Sequence, residues 1–260
     1  MAGKIRTEKD GALGWIFFDH PERRNAISGE MWRQLPEAAR LFDEDPDIRV
    51  VILRGEGEVA FAAGADISEF QENRSGKAAE NYDRENGDAM GALASIRKPV
   101  LAAIHGFCVG GGCAIALTAD LRYSADDGVF AIPAGRLGLG YGADGIERLI
   151  GEVGLPVAKE IFFTAQRFSA AQALQMGLVN RVLPKKELDA FVRETAESIS
   201  SNAPLTLRSA KLIMQELAKE PAKRDVEGMR ESIRNCYASE DYAEGVSAFL
   251  EKRRPNFEGR

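Results

Sequence analysis

Residues Lys98–Leu117 read KPVLAAIHGFCVGGGCAIAL, and this stretch decides the fold. The apolar run Pro99–Ile104 is typical of a buried strand, and the residues from Gly112 onward are typical of a helix. Between them, Gly110-Gly111-Gly112 lets the backbone pass close to a ligand, because glycine has no side chain. The N–H groups that start a helix have no internal partners. The junction therefore predicts either a site for an oxyanion or a tight turn that packs a helix on a sheet.

A second glycine-bearing stretch supplies a matching feature. Phe61–Ile67 reads FAAGADI, follows a strand signal and precedes a short helix start. We predict that the backbone N–H of Ala65 lies opposite that of Gly111, so that the two groups form one hole for a negatively charged oxygen. The alternative for this stretch is structural, with the Asp66 carboxylate bonding the first amides of its own helix.

Strand and helix signals alternate along the first two thirds of the chain, which predicts an α/β fold. Strands are predicted at Gly14–Asp19, Arg49–Arg54, Pro99–Ile104, Leu121–Ala125 and Gly177–Leu183. Helices are predicted around Met31–Phe42, Asn81–Ile96 and Gly112–Ala119. The polar stretch Gln71–Asp83 is predicted to be a mobile loop.

The pattern changes beyond Pro184, where helical signals replace strands. Apolar residues at helical spacing between Leu188 and Ile199 predict a first helix, and Pro204–Leu217, Val226–Tyr237 and Asp241–Lys252 predict three more. We therefore divide the chain into an α/β core at 1–184 and a helical region at 185–260. The helical region carries more apolar surface than one core readily buries, which predicts packing on another subunit.

Composition excludes several classes of protein. The chain has 260 residues and a net charge of -6, which argues against a nucleic-acid partner. No apolar run approaches the ~18 residues of a membrane span, and MAGKIRTEKD has no signal-peptide core. We expect a cytoplasmic protein without a membrane partner. Its three cysteines, Cys108, Cys113 and Cys236, are expected to be reduced.

Over its whole length the chain resembles the enoyl-CoA hydratase/isomerase (crotonase) superfamily. The resemblance rests on the order and spacing of six stretches, which are Asn25–Ser28, Phe61–Ile67, Lys98–Gly106, the glycine triplet with its helix, Phe162–Asn180 and Phe249–Phe257. It implies a spiral of ββα units, a helical C-terminal trimerisation region, and a CoA thioester as substrate. It also implies a homotrimer or homohexamer.

The resemblance implies roles for particular residues. Ala65 and Gly111 would donate hydrogen bonds to the thioester oxygen and so stabilise an enolate. Basic residues near CoA would include Arg24, and the C-terminal pair Phe249 and Lys252 would reach its adenine end. The other expected substrate contacts are Ala63, Asp66 and Ile67. CoA enters as part of the substrate, so we expect no separate cofactor and no metal.

The chain departs from the family's hydratases at the residues that move protons. Those enzymes carry one glutamate three residues after the middle glycine and another after a proline. Here the first position is Ala114, and Pro133 is followed by Ala134. Alanine neither gives nor takes a proton, so these residues do not support hydration by a pair of carboxylates.

The loop Gly135–Arg148 offers two substitutes for the missing acids, Tyr141 and Asp144. The alternatives are a packed aromatic for Tyr141 and a helix N-cap for Asp144. The spacing at Leu137–Tyr141 and the run Tyr237–Phe257 resemble methylmalonyl-CoA decarboxylases, which carry a histidine at the position of Ala65. Three functions stay open: an enoyl-CoA hydratase/isomerase type enzyme, a malonyl-type acyl-CoA decarboxylase, and a thioester-binding protein with vestigial catalysis.

Overall fold

The computed structural model describes residues 3–66 and 77–260. Ten strands lie in these ranges: β1 Lys4–Asp10, β2 Leu13–Asp19, β3 Val50–Gly55, β4 Ala60–Ala62, β5 Val100–Ile104, β6 Phe107–Val109, β7 Leu121–Ala125, β8 Val129–Ala131, β9 Phe168–Ser169 and β10 Arg181–Leu183. The α-helices of the same ranges are α1 Gly29–Glu44, α2 Lys77–Ala94, α3 Gly111–Ala116, α4 Ala134–Leu137, α5 Ala143–Thr164, α6 Ala170–Gln175, α7 Leu188–Ser200, α8 Pro204–Ala218, α9 Val226–Tyr237 and α10 Glu240–Glu251. None of the helices described is long and apolar enough to span a membrane.

The ten strands form two sheets. The larger sheet has the order β1-β2-β3-β5-β7-β10, with β1 antiparallel to β2 at one edge and the remaining pairs parallel. The smaller sheet has the order β4-β6-β8-β9, in which only β8 and β9 are antiparallel. In each of the pairs β3/β4, β5/β6 and β7/β8, the first strand lies in the larger sheet and the second in the smaller one. The chain therefore winds as a spiral of ββα units, which confirms the predicted fold class.

The larger sheet is covered on both faces, because alternate residues of its strands point to opposite sides. Val51 and Leu53 of β3 belong to a cluster that includes α1, α2 and the smaller sheet. Val50 and Ile52 of the same strand belong to a second cluster on the other face. Leu188, Val192 and Ala196 of α7 close that second cluster, so the first helix after residue 184 packs directly on the sheet.

A partly buried ion cluster joins α7 to the end of the sheet. The Asp189 carboxylate accepts hydrogen bonds from Arg54 Nη2 at 2.6 Å and Nε at 3.0 Å. It also accepts from the Nε2 of His105 at 2.9 Å. Because Arg54 lies on β3 and His105 follows β5, one carboxylate at the start of α7 holds two strand ends.

Helices α8 to α10 leave much apolar surface exposed. Sixteen large apolar side chains are exposed among the described residues, and ten of them belong to residues 204–260. These ten are Leu212, Met214, Leu217, Val226, Ile233, Tyr237, Tyr242, Val246, Phe249 and Leu250. These helices therefore expose an apolar face that their own chain does not cover. Burial of such a face is favourable.

Several boundaries differ from those predicted. Residues 77–83 of the predicted Gln71–Asp83 loop form the first turns of α2, while 71–76 lie outside the described residues. Only Arg181–Leu183 of the predicted Gly177–Leu183 strand pairs in the sheet. The earlier part ends α6 as a turn, and the side chain of Asn180 accepts from the N of Arg122 at 2.7 Å.

Candidate functional site

The two glycine-bearing stretches meet at one place. Ala65 forms an isolated parallel bridge with Ile27, whose N donates to the carbonyl of Gly64 at 2.8 Å and whose carbonyl accepts from the N of Asp66 at 2.9 Å. A parallel bridge of this kind uses the residues on either side of Ala65 and turns its own N–H away from Ile27. The N–H of Ala65 is therefore not used in the bridge.

The start of α3 provides the second donor. Gly110 precedes the helix with φ 53° and ψ -114°, a conformation that favours glycine. Its N–H donates to the carbonyl of Ala131 at 2.8 Å, which anchors the turn to β8. Gly111 is the first helical residue, so its N–H has no partner within the helix. In the described part of the chain, neither Gly111 nor Ala65 donates its N–H to a backbone carbonyl.

Close packing explains why glycine occupies this turn. A Cβ on Gly112 would lie 2.2 Å from the carbonyl oxygen of Ala62, closer than any real contact. A Cβ on Gly111 would lie 3.5 Å from the N of Ala65, and one on Gly64 would lie 3.9 Å from the N of Gly111. These distances bring the two unpaired N–H groups to one small space. A pair of fixed donors of this kind can stabilise negative charge on an oxygen, and one donor typically contributes ~10²–10³ in rate.

Comparison with known proteins assigns this two-sheet spiral to a family. The sequence profile described as enoyl-CoA hydratase/isomerase matches residues 8–260. The chain belongs to this family, the crotonase superfamily, which confirms the resemblance seen in the sequence.

Individual relatives support the same assignment. The crotonyl-CoA hydratase of Syntrophomonas wolfei is 33% identical over 253 residues, which cover 97% of each chain. The short-chain-enoyl-CoA hydratase of Clostridium acetobutylicum is 33% identical over 250 residues, covering 96% of this chain and 95% of its own. Among solved structures, an enoyl-CoA hydratase/carnithine racemase from Magnetospirillum magneticum superposes with a TM-score of 0.95 at 35% identity, covering 98% of this chain and 96% of the other.

Arg24 and Ala63 lie side by side near this site. The N of Ala63 donates to the carbonyl of Arg24 at 3.0 Å, and Arg24 has a left-handed φ of 52° that exposes its side chain. Its guanidinium carbon lies 4.7 Å from the centre of the Phe107 ring. Arg167 stands over the same ring at 5.9 Å, a second exposed cation that the sequence did not single out. Together they form a positively charged surface with an aromatic centre.

The predicted contacts at the end of the first stretch are only partly described. Asp66 is buried, and its N–H is used in the bridge to Ile27. Ile67 lies outside the described residues, as does the start of the helix that Asp66 was predicted to cap.

Neither alanine position has a carboxylate. Ala134 is the first residue of α4 and is buried, whereas Ala114 lies on α3 three residues after Gly111 and is half-buried. A residue on the first turn of α3 stands close to its N-terminal donors because one turn rises only about 5.4 Å.

Tyr141 is packed rather than free on its loop. Its ring meets that of Phe162 edge-on, with centres 5.1 Å apart and planes at 78°. Burial raises the pKa of the Tyr141 phenol well above its ordinary value, and the nearby Cys113 thiol adds to this effect. The phenol is a neutral O–H donor at neutral pH and lies near Cys113, which follows Gly111 by two residues on α3.

Asp144 does not cap a helix, so the alternative predicted for it is wrong. Helix α5 begins at Ala143, and its N-cap is Gly142 with no capping side chain. Asp144 lies in the first turn with its side chain exposed, where a carboxylate is stabilised by the helix dipole. The chain starts the helix earlier than predicted because glycine also serves as an N-cap.

The C-terminal pair lies on the exposed end of α10. Phe249 is 84% exposed, and Lys252 ends the helix in a left-handed conformation with φ 55°. The ring of Phe249 therefore lies outside the core of its own chain.

Sequence reasoning missed Trp32, which lies beside the glycine turn. A Cβ on Gly111 would come within 3.3 Å of Trp32 Cζ2. In the sequence, Trp32 only marks the apolar face of a helix, and nothing distinguishes a core position from one that borders a site.

Proposed function

We propose that this protein binds an acyl-CoA thioester and stabilises its enolate with the backbone N–H groups of Ala65 and Gly111. The observation that carries this proposal is the convergence of two unpaired donors at a turn whose glycines leave room for a ligand. Chemistry at the carbon next to a thioester places negative charge on the thioester oxygen. Two fixed donors lower the energy of that charged state more than the energy of the neutral substrate.

The remaining contacts follow the shape of CoA. Arg24 carries a positive charge beside Ala63, which suits the phosphates of CoA. Ala63, Asp66 and Ile67 would be further substrate contacts, as the family resemblance implies. Phe249 and Lys252 would act on the adenine end of a CoA bound to a neighbouring subunit, because an exposed aromatic at a helix end suits a stacked base. A homotrimer or homohexamer would supply that neighbour.

The proton donor in this proposal is Tyr141. The phenol is neutral and packs against Phe162, so it can protonate an enolate, whereas the side chain of Asp144 is exposed. Asp144 would act as a base or by orienting another group. The same arrangement favours a second candidate, decarboxylation of a malonyl-type thioester. That reaction needs a site for the enolate and one proton donor but no glutamate pair.

One panel of ligands tests these alternatives. Calorimetry with acetyl-CoA, crotonyl-CoA and methylmalonyl-CoA should give saturable binding, and turnover of each should be followed in parallel. Turnover of crotonyl-CoA supports hydration, and loss of carbon dioxide from methylmalonyl-CoA supports decarboxylation. Binding without any turnover would support a vestigial binding protein. No binding at millimolar concentration would overturn the proposal.

A matched variant connects the panel to the site. Ala65→Pro removes one N–H and changes little else in volume, so it should lower turnover by ~10²–10³. Ala63→Pro removes an N–H that is already used by the carbonyl of Arg24 and serves as the control for disruption of the turn. An Ala65→Pro protein that folds and remains fully active would contradict the assignment of this donor.

A further inference from the structure

The indole of Trp32 lies against the two backbone donors. It is carried by α1 and is 1% exposed. The point where a Cβ on Gly111 would stand is 3.3 Å from its Cζ2, 3.6 Å from its Cη2 and 3.5 Å from the N of Ala65. One small space is therefore bounded by the indole, by Gly111 and by the second donor.

The part of the indole nearest this space is apolar. Cζ2 and Cη2 are neighbouring carbon atoms of the six-membered ring and offer no competing hydrogen-bond donor or acceptor. The ring also excludes water. Hydrogen bonds to a charged oxygen are stronger where water is absent and the dielectric constant is low.

A hydrogen bond from another helix fixes the orientation of this ring. The Nε1 of Trp32 donates to the hydroxyl oxygen of Tyr82 at 3.1 Å. Tyr82 lies on α2 and is 4% exposed, so both partners of this bond are held in the core. Rotation of the indole would break the bond, and the position of α2 thus determines which edge of the ring faces Gly111.

We infer that Trp32 forms an apolar wall of the oxyanion hole and that Tyr82 is the positioning residue for that wall. The inference rests on the proposed function, since it requires a thioester oxygen between Ala65 and Gly111. It gives helices α1 and α2 a role in the site, through the side chains of Trp32 and Tyr82, in addition to the role of the two backbone donors.

Fluorescence can test the wall directly, because the chain has only two tryptophans. Trp15 lies in the cluster beneath α7, on the opposite face of the larger sheet. In Trp15→Phe, emission comes from Trp32 alone, and we expect a saturable change on titration with crotonyl-CoA. Free CoA, which has no thioester oxygen, should give no comparable change. In Trp32→Phe the remaining Trp15 should not respond to either ligand.

A pair of tyrosine variants tests the positioning role. Tyr82→Phe removes only the hydroxyl and should alter the emission response of Trp32. It should also lower kcat on the best substrate about three- to tenfold with KM unchanged, because the lost bond acts on the charged state. Tyr123→Phe removes a hydroxyl from the distant cluster beneath α7 and is the control. If Tyr82 has only a structural role, Tyr82→Phe will lower the melting temperature but leave the emission response of Trp32 and kcat unchanged.

The outcomes separate the two proposals. If calorimetry detects no thioester binding, the proposed function fails and the inference fails with it. If crotonyl-CoA binds but the emission of Trp32 is unchanged, the wall is overturned and the proposed function stands. If Trp15→Phe does not fold, the same titration of the wild-type chain labelled with 5-fluorotryptophan gives two fluorine resonances by NMR. Trp32→Phe assigns them, and an unshifted Trp32 resonance overturns the wall.

Discussion

Single residues decide the chemistry of this protein more than its fold does. In the proposed function, alanine at 114 and 134 leaves the two backbone donors without the pair of carboxylates that the family resemblance implies for hydration. Tyr141 keeps its proton because burial raises its pKa. A phenol with a raised pKa remains a donor from neutral pH to beyond pH ~10, so proton donation by Tyr141 should show no alkaline loss in that range.

Tyr141→Phe tests this role with the smallest change available. We expect turnover on the best substrate to fall about tenfold or more while thioester affinity, measured by calorimetry, stays nearly unchanged. That result marks an interaction made in the transition state. Tyr123→Phe, which alters another partly buried phenol, should keep full turnover. Full activity of Tyr141→Phe would show that the proton comes from elsewhere.

The two alanines can be tested by restoring the acids. Ala114→Glu with Ala134→Glu should raise hydration of crotonyl-CoA, because a positioned acid or base contributes ~10²–10⁴-fold. Hydration is measured by the loss of absorbance of the conjugated double bond. The matching double glutamine variant has the same volume without the carboxylates and should give no gain. Since Ala134 is buried, equal loss of stability in both doubles would show that the pocket does not admit the added side chain.

At the scale of elements, the sequence predicts the longer parallel strands and misses most of the shortest strands and the charged edge strand. Strands β3 and β5 are buried on both faces, so their runs of valine, leucine, isoleucine and alanine signal them clearly. Strands β4, β6 and β8 have three residues each and are too short to carry a period. Strand β1 is largely charged, so its sequence has no apolar pattern that predicts a strand. It forms because it pairs with β2, and the local sequence does not reveal that pairing.

The same limit applies to the site. The glycine turns are visible in the sequence, where they predict either an oxyanion site or a tight helix–sheet turn, because glycine lets the backbone approach a neighbour closely. Trp32 and Arg167 carry no such signal. They reach the site through packing between distant elements, and an indole on an apolar helix face looks like any other core residue.

The contact between α7 and the strand ends depends on pH. Burial alone would raise the pKa of Asp189, but hydrogen bonds from His105 and Arg54 outweigh it and lower that pKa well below its usual range. A carboxylate with a lowered pKa stabilises the fold above its unfolded pKa of ~3.9, and this stability is lost as the pH falls further. Acid should therefore weaken the attachment of α7.

Asp189→Asn measures this attachment. Because the side chain is partly exposed, we expect the free energy of unfolding at pH 7 to fall by about 1–2 kcal/mol. The difference from the wild type should shrink between pH 5 and pH 3, as shown by urea unfolding at each pH. Asp10→Asn removes an ion pair on the surface with Arg193 and should change stability little. A difference that stays constant down to pH 3 would contradict the role of the ionised carboxylate.

For the whole molecule, the apolar faces of α8 to α10 predict assembly. Light scattering at micromolar concentration should give three or six times the mass of one chain. Phe249→Asp with Leu250→Asp places charges on the two most exposed apolar residues of α8 to α10 and should reduce the mass toward that of one chain. Leu41→Asp, on an exposed position of α1, is the control and should leave the mass unchanged. A stable monomer in the wild type would contradict the predicted trimer or hexamer.

The edges of the larger sheet bear on how this protein behaves when concentrated or refolded. Five of the seven residues in β1, KIRTEKD, are charged, and the opposite edge strand β10 has three residues and is followed by Pro184. Charged, short or proline-bounded edges resist the addition of a strand from another molecule. Aggregation of this chain should therefore not proceed by extension of its sheet. It should begin at the apolar helices whenever subunits separate, so precipitation should rise on dilution or mild denaturation and should lack the fibrillar order of cross-β material.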